Sequence, residues 1–471
     1  MQRTSYTQTQ QAGAVMVVAL IFVTIVVFIW LALVGLIVTE HQVATRKHLR
    51  EQSLEIAEAG IDYYRWHLAH DADDYQDGTG LPGPYIHPFL NANNEQIGEF
   101  ELEIIPPPIG STIVEVVSTG RTNTTPSVER TIRARVGRQS LASFGFLTNS
   151  NVWFGDTENT VGTVHANGGI RFDGVADSLV LTPKDTYICG PEHGCNNEEM
   201  PGIWGDGSPT ELWQFPPDEQ VAAVDFETVT IDLSQIQTDA QADGIALGEC
   251  NGQCYGYHVE FHADGTLSIY RVRRVWSTNG FDVEGQPGDS QIDIREEQVH
   301  GGFTNVPIPD NGLIFLEDKT WVSGTVNGRA TVAAATFPAG VDDKSIIIHD
   351  DIQYLARNGE HSLGLIAQQD VLIPRYAPAD LVIDAAMMAQ NGSTQRYYYQ
   401  GNVLNSIETY GSTISNGVWT WGWVCEGGAT CSGYTTTDTI YDSSLTYGPP
   451  PSFPATGSYT LLSWDEETPG N

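Results

Sequence analysis

Four side chains in one short stretch have the spacing of a metal site. Cys250, Cys254, His258 and His262 recur every four residues, and two thiolates with two imidazoles are a donor set that zinc holds tetrahedrally. Glu260 lies between the histidines as a further oxygen donor. The cysteines taken together argue the other way. All six fall into local pairs, Cys189 with Cys195, Cys250 with Cys254, and Cys425 with Cys431. An even number of closely spaced cysteines reads as disulfides made in an oxidising compartment. Oxidation of Cys250 and Cys254 would remove both thiolates and leave His258 and His262 an incomplete site, so neither a metal nor a cofactor is expected.

Carboxylates are the other reactive groups. Asp342 with Asp343, and Asp350 with Asp351, are adjacent pairs, and glycoside hydrolysis uses two carboxylates flanking one bond. Neighbours along a strand point to opposite faces, so these pairs are expected in turns, solvated and not catalytic. The loop DADDYQDG offers Asp71, Asp73, Asp74 and Asp77, but its spacing departs from the calcium-binding loop of the EF-hand; a solvated acidic loop is the expectation. No G-x-S-x-G, H-E-x-x-H or glycine-rich phosphate loop occurs, and catalysis is not expected. Trp419, Trp421 and Trp423 alternate in VWTWGWV and project from one face of a strand. Exposed, such a row would bind sugars or apolar partners; a buried core row is expected.

These groups hang from an apolar run. Ala14 to Thr39, with Val18 and Trp30 inside it, carries no charged side chain and exceeds the roughly 20 residues that cross a bilayer core. Helix-forming sequence continues to His70, where Leu54, Ala57, Ile61, Tyr64 and Leu68 recur at intervals of three and four, one stripe of an amphipathic helix. The breakers DADDYQDGTGLPGP end it. Arg3 precedes the span, and Arg46, Lys47 and Arg50 follow it. That count of flanking cations favours a cytoplasmic C-terminal part, whereas the cysteine pairs favour export; the cysteines are given the greater weight.

A short polar segment ending in Gly13, a span starting at Ala14 and AEAGI at Ala57 to Ile61 resemble the minor pilins of type IV pili, in particular those with a PilX-type N-terminal domain. The resemblance covers about the first 70 residues. It implies a leader over 1–13, cleavage between Gly13 and Ala14, and partners among other pilins or pilus assembly proteins. Val18 stands at the fifth position after the cleavage site, where major pilins carry glutamate; this places the chain at a tip, in initiation or in a lasting membrane anchor before the shaft of a filament.

Beyond the helix the expected fold is mainly β. GEFELEIIPPP, STIVEVVSTGRT and VERTIRARVGR alternate apolar and polar residues within 71–140, a small antiparallel sheet that would cover the helical stripe. From 141 to 447 the frames TNSNVWF, ANGGIRF, AQQDVLI, AQNGSTQ and SNGVWTW recur, with offsets on the order of 20 residues, a solenoid-type period. Short apolar runs with no helix between them suit a β-helix head, with amide ladders at Asn149, Asn167, Gln368, Gln390 and Asn416; a β-sandwich is the alternative. Residues 187–300 interrupt the pattern and read as an insertion, with a short helix in DLSQIQTDAQADG and a hairpin turning at Asp264 and Gly265. The tail, 448–471, is expected extended, its last strand capping the solenoid.

With 59 acidic against 22 basic residues, the net charge is −37. Phosphate binding needs clustered cations, and only Arg130, Arg133, Arg135 and Arg138, and Arg271, Arg273 and Arg274, come near to that, which argues against nucleic acid as the main partner. The reading is a single-pass membrane protein with an extracytoplasmic head for surface attachment or pilus assembly, its ligand a surface glycan or protein. A membrane-anchored β-helical carbohydrate-active enzyme and a structural protein of the cell envelope are the alternatives.

Overall fold

The computed structural model describes residues 11–226, 229–252, 254–341, 343–425, 428–455 and 459–467, which form two compact units. The first holds α1, Gln11–His70, and a five-stranded sheet. The apolar run and the amphipathic run are one helix, because no proline interrupts them. Its first half exposes its apolar side chains, Val18 at 66% and Trp30 at 65%. Thr24 and Thr39 return their hydroxyls to the carbonyls of Ile21 and Gly35, which satisfies them within the helix.

The second half of α1 is buried along the expected stripe. Ala57, Ile61, Tyr64 and Leu68, with Ile56, pack on Phe100, Leu102, Val114, Val116, Ile132 and Ala134 of the sheet; Leu54 is half-buried at its margin. The sheet runs in the order Tyr85–Leu90, Gln96–Ile105, Ile113–Thr122, Glu129–Gly137 and Thr460–Glu467, the first three antiparallel. The fifth strand corrects the expectation for the tail: it joins this sheet and does not cap the parallel stack described below. The open edge beside Glu129–Gly137 takes it, where Glu466 and Glu467 pair with Arg130 and Arg133.

Helix and sheet approach closely at two glycines. A Cβ on Gly120 would sit 2.1 Å from the Ser53 carbonyl and 2.5 Å from the Ala57 nitrogen, and one on Gly60 would meet Ser118 Oγ at 2.3 Å. Backbone cannot yield as a side-chain tip can. Gly120→Ala should therefore lower stability by about 2 kcal/mol, read as a lower urea midpoint at unchanged slope, and Gly60→Ala by less.

In the second unit strands stack in parallel, and among the described residues one α-helix lies in their connections. One residue column runs Ile245, Ile314, Val332, Leu365, Met387, Thr413, Phe146, Val164, Val180 and Trp213, each the register partner of the next. A second set of strands continues the same stacking through Tyr257, Thr320, Ile346, Val371, Thr394 and Trp419. Alternate residues turn inward to a continuous apolar core or outward to separate clusters.

The order of the stack is not the order of the chain. Strands between 245 and 415 follow one another, and the last of them, Val403–Ser415, pairs with Phe146–Thr148. The chain thus begins mid-stack, builds to one end, and restarts at the other. The connection carries α2, Val229–Asp243, whose Leu233, Ile236 and Ala240 cover Leu313 and Phe315. Residues 187–300 are accordingly more than an insertion: Ile203–Trp204, Ile245–Leu247 and Tyr257–Phe261 are members of the stack. The hairpin turns where expected, Tyr257–Phe261 against Thr266–Trp276 with Gly265 at φ +85°.

Candidate functional site

The candidate metal ligands part company. Cys250 and Cys254 are joined as a disulfide, as are Cys189 with Cys195 and Cys425 with Cys431, so no thiolate is available. His262 Nε2 lies 2.9 Å from Ser268 Oγ, and Glu260 accepts from the Tyr270 hydroxyl. His258 turns elsewhere. Its Nδ1 is 2.8 Å from Glu297 Oε2, its Nε2 is 2.8 Å from Ser323 Oγ, and His349 Nε2 lies 3.1 Å from that same Nε2. The ring stacks on Tyr270 at 5.6 Å and meets His349 edge-on at 4.6 Å.

Four strands position this cluster on the outer face of the stack. Val259, Val322 and Ile348 point into the core, so their neighbours His258, Ser323 and His349 point out. Glu297 arrives from Asp293–Val299, which pairs with the outer strand of the hairpin. His258 and Ser323 are buried, at 4% and 7% exposed. Burial lowers the His349 pKa to about 4, with the neighbouring His258 adding to the effect. For Glu297 burial works upward, but the hydrogen bond to His258 and the electrostatic influence of that ring outweigh it and hold the carboxyl below its usual range. Residue spacing gave no sign of Ser323, Glu297 or His349, which meet His258 only through stacking and pairing.

The five amide positions, Gln368, Gln390, Asn416, Asn149 and Asn167, each follow a register partner of the next, in Ala367, Ala389, Ser415, Thr148 and Ala166. Asn167 donates to Asn149 Oδ1 and Asn149 to Asn416 Oδ1, both at 2.8 Å. Asn167 ends this run on the backbone of Val224, and Gln368 makes a closed pair with the backbone of Thr336. Gln390 lies buried between them with neither amide atom bonded. Asn149→Ala breaks both links, one of them where Val403–Ser415 meets Phe146–Thr148. A loss of about 1.5 kcal/mol is expected, measured by denaturant unfolding, while Gln390→Leu should be neutral or stabilising.

The remaining candidates have structural partners. Asp74 and Asp77 are held by His67 and His87, at 3.0 and 2.6 Å. Asp351 accepts from the Val382 amide, and Asp343 from Gly340 and Asn391; Asp342 lies outside the described residues. Trp421 is buried, Trp419 packs on Phe146 and Phe154, and Trp423 donates to the Arg396 carbonyl. Arg130, Arg133, Arg135 and Arg274 pair with glutamates. Gly13 and Ala14 fall within α1.

No family model matches the chain, and no curated protein matches it. Among solved structures, the crystal structure of the competence-associated pilin ComZ from Thermus thermophilus is similar over 89% of this chain and 97% of that one, at 12% identity and a TM-score of 0.32. That likeness is too distant to bear on fold or role.

Proposed function

We propose that this is a membrane-tethered, pilin-like protein that carries a β-helical head outside the cytoplasm for surface attachment or for initiating a pilus. The observation that carries the reading is the division of α1: one helix exposes the apolar surface of Val15–Val38 and then buries Ala57, Ile61, Tyr64 and Leu68 against an antiparallel sheet. The exposed half has the length and hydropathy of a single span. Three disulfides support export. The stacked parallel registers, with amides bonded between neighbouring strands, support the β-helical head.

Valine at position 18 in place of an acidic residue favours a tip or initiating subunit over one repeated along a shaft. Its partners would be the membrane, other pilins, and a surface glycan or protein met by the head. The test is peptide mapping of the native protein from membranes, with thiol titration. A mature N-terminus at Ala14, retention in the membrane fraction and no free thiols are expected. A chain starting at Met1 with reduced cysteines in the cytosol would overturn the reading.

A further inference from the structure

We propose that Ser323, His258 and Glu297 form a nucleophilic triad on the outer face of the stack, competent for acyl transfer from a small uncharged ester. Both links, Ser323 Oγ to His258 Nε2 and His258 Nδ1 to Glu297 Oε2, are 2.8 Å. That is within the reach that proton transfer needs, with the base oriented by a third group. The tautomer follows from the partners. An ionised carboxylate only accepts, so Nδ1 carries the hydrogen and the Nε2 lone pair faces the serine hydroxyl.

The backbone at the serine is irregular in the way a re-aimed side chain requires. Register between Thr320–Val326 and Ile346–Tyr354 jumps between Val322 and Gly324, whose partners are Ile348 and Ile352, so Ser323 stands opposite a bulge containing His349. Gly324 has φ +104°, and a Cβ there would lie 2.2 Å from the Phe261 carbonyl; only glycine holds that turn beside the serine.

His349 adds a donor. One lone pair on His258 Nε2 cannot fully accept both the Ser323 O–H and the His349 N–H. Once His258 takes the serine proton, its Nε2 becomes a donor, and the neutral His349 ring is left with an N–H free for an oxyanion forming beside Ser323. In the first step Ser323 Oγ bonds to the acyl carbon as its proton passes to His258 Nε2. The bond to the leaving alkoxy oxygen then breaks, and the alcohol departs with that proton. Water repeats the sequence, releasing the carboxylic acid and restoring the serine. Glu297 stays ionised throughout. The near-complete burial of Ser323 admits only a small acyl group, and a net charge of −37 repels anionic esters.

The test treats the full chain in detergent with a small fluorophosphonate, and separately with p-nitrophenyl acetate. Labelling mapped to Ser323, absent in S323A and slowed about 100-fold in E297Q, is expected, as is acetate release that is lost in S323A. H349Q should slow turnover while leaving labelling confined to Ser323. A folded wild-type chain, shown by its thermal transition, that takes no label, or a label that persists in S323A, would overturn the proposal.

Discussion

An Arg357→Ala variant should lose about 4 kcal/mol of folding stability, the largest effect expected of any single substitution considered in this molecule. Asp384 points from the strand Asp380–Ala389 with its side chain 2% exposed, and Arg357 spans both of its oxygens, at 2.8 and 3.3 Å. The same guanidinium reaches Glu408 at 2.6 Å and lies 4.5 Å over the Tyr410 ring. Removing it strands a buried carboxylate whose remaining donor is the Tyr354 amide. The cost is that of the orphaned charge more than of the lost pair. Adding Asp384→Asn to the alanine variant should therefore recover most of the loss, and Arg357→Lys should fall between, because an ammonium cannot span both oxygens. Urea midpoints of the four proteins decide it: a double variant no more stable than Arg357→Ala would refute the account.

Acid should destabilise the second unit through His349 by about 2 kcal/mol between pH 6.5 and 4. The sign follows from proton counts. In the unfolded chain the imidazole binds a proton below its ordinary pKa of about 6.5, while in the folded chain it stays neutral until about pH 4. Between those values the unfolded state holds more protons, so stability is fully present above 6.5 and is lost as pH falls. The groups facing the ring are His258, Glu297 and Asp350. Two carboxyls act oppositely in this window. Burial, with Asp438 nearby, raises Glu158 to about 8, and burial, with Asp282 and Asp289, raises Asp370 to about 6. The comparison is therefore wild type against His349→Gln, in which those carboxyls are common to both. The stability difference should shift against the wild type as the pH drops, and parallel pH profiles would refute the assignment.

Some of this was legible in the sequence. The helix was, because its signal is a local period: Ala57, Ile61, Tyr64 and Leu68 form their stripe whatever they pack against. So were the disulfide pairs, since separations of four and six residues leave each cysteine a partner near at hand. The recurrence of Asn149, Asn167, Gln368, Gln390 and Asn416 also marked one column, because equivalent positions on successive paired strands repeat a residue type. The hairpin at Asp264 and Gly265 declared itself through its Asp-Gly pair between two alternating runs.

Tertiary structure decided what depends on which sheet edges are open. Val403–Ser415 meets Phe146–Thr148 across more than 250 residues, a pairing of backbone edges that leaves no mark on composition. The tail strand Thr460–Glu467 took the free edge beside Glu129–Gly137 for the same reason. His258, Glu297, Ser323 and His349 belong to four strands, and only stacking and antiparallel pairing together bring their side chains within hydrogen-bonding distance. Sequence alone determined the elements with local causes, the helix, its breakers, the short cysteine loops and the alternation of strands; partners remote in the chain were fixed by long-range pairing, since a strand's hydrogen bonds are satisfied by any edge that presents the right spacing.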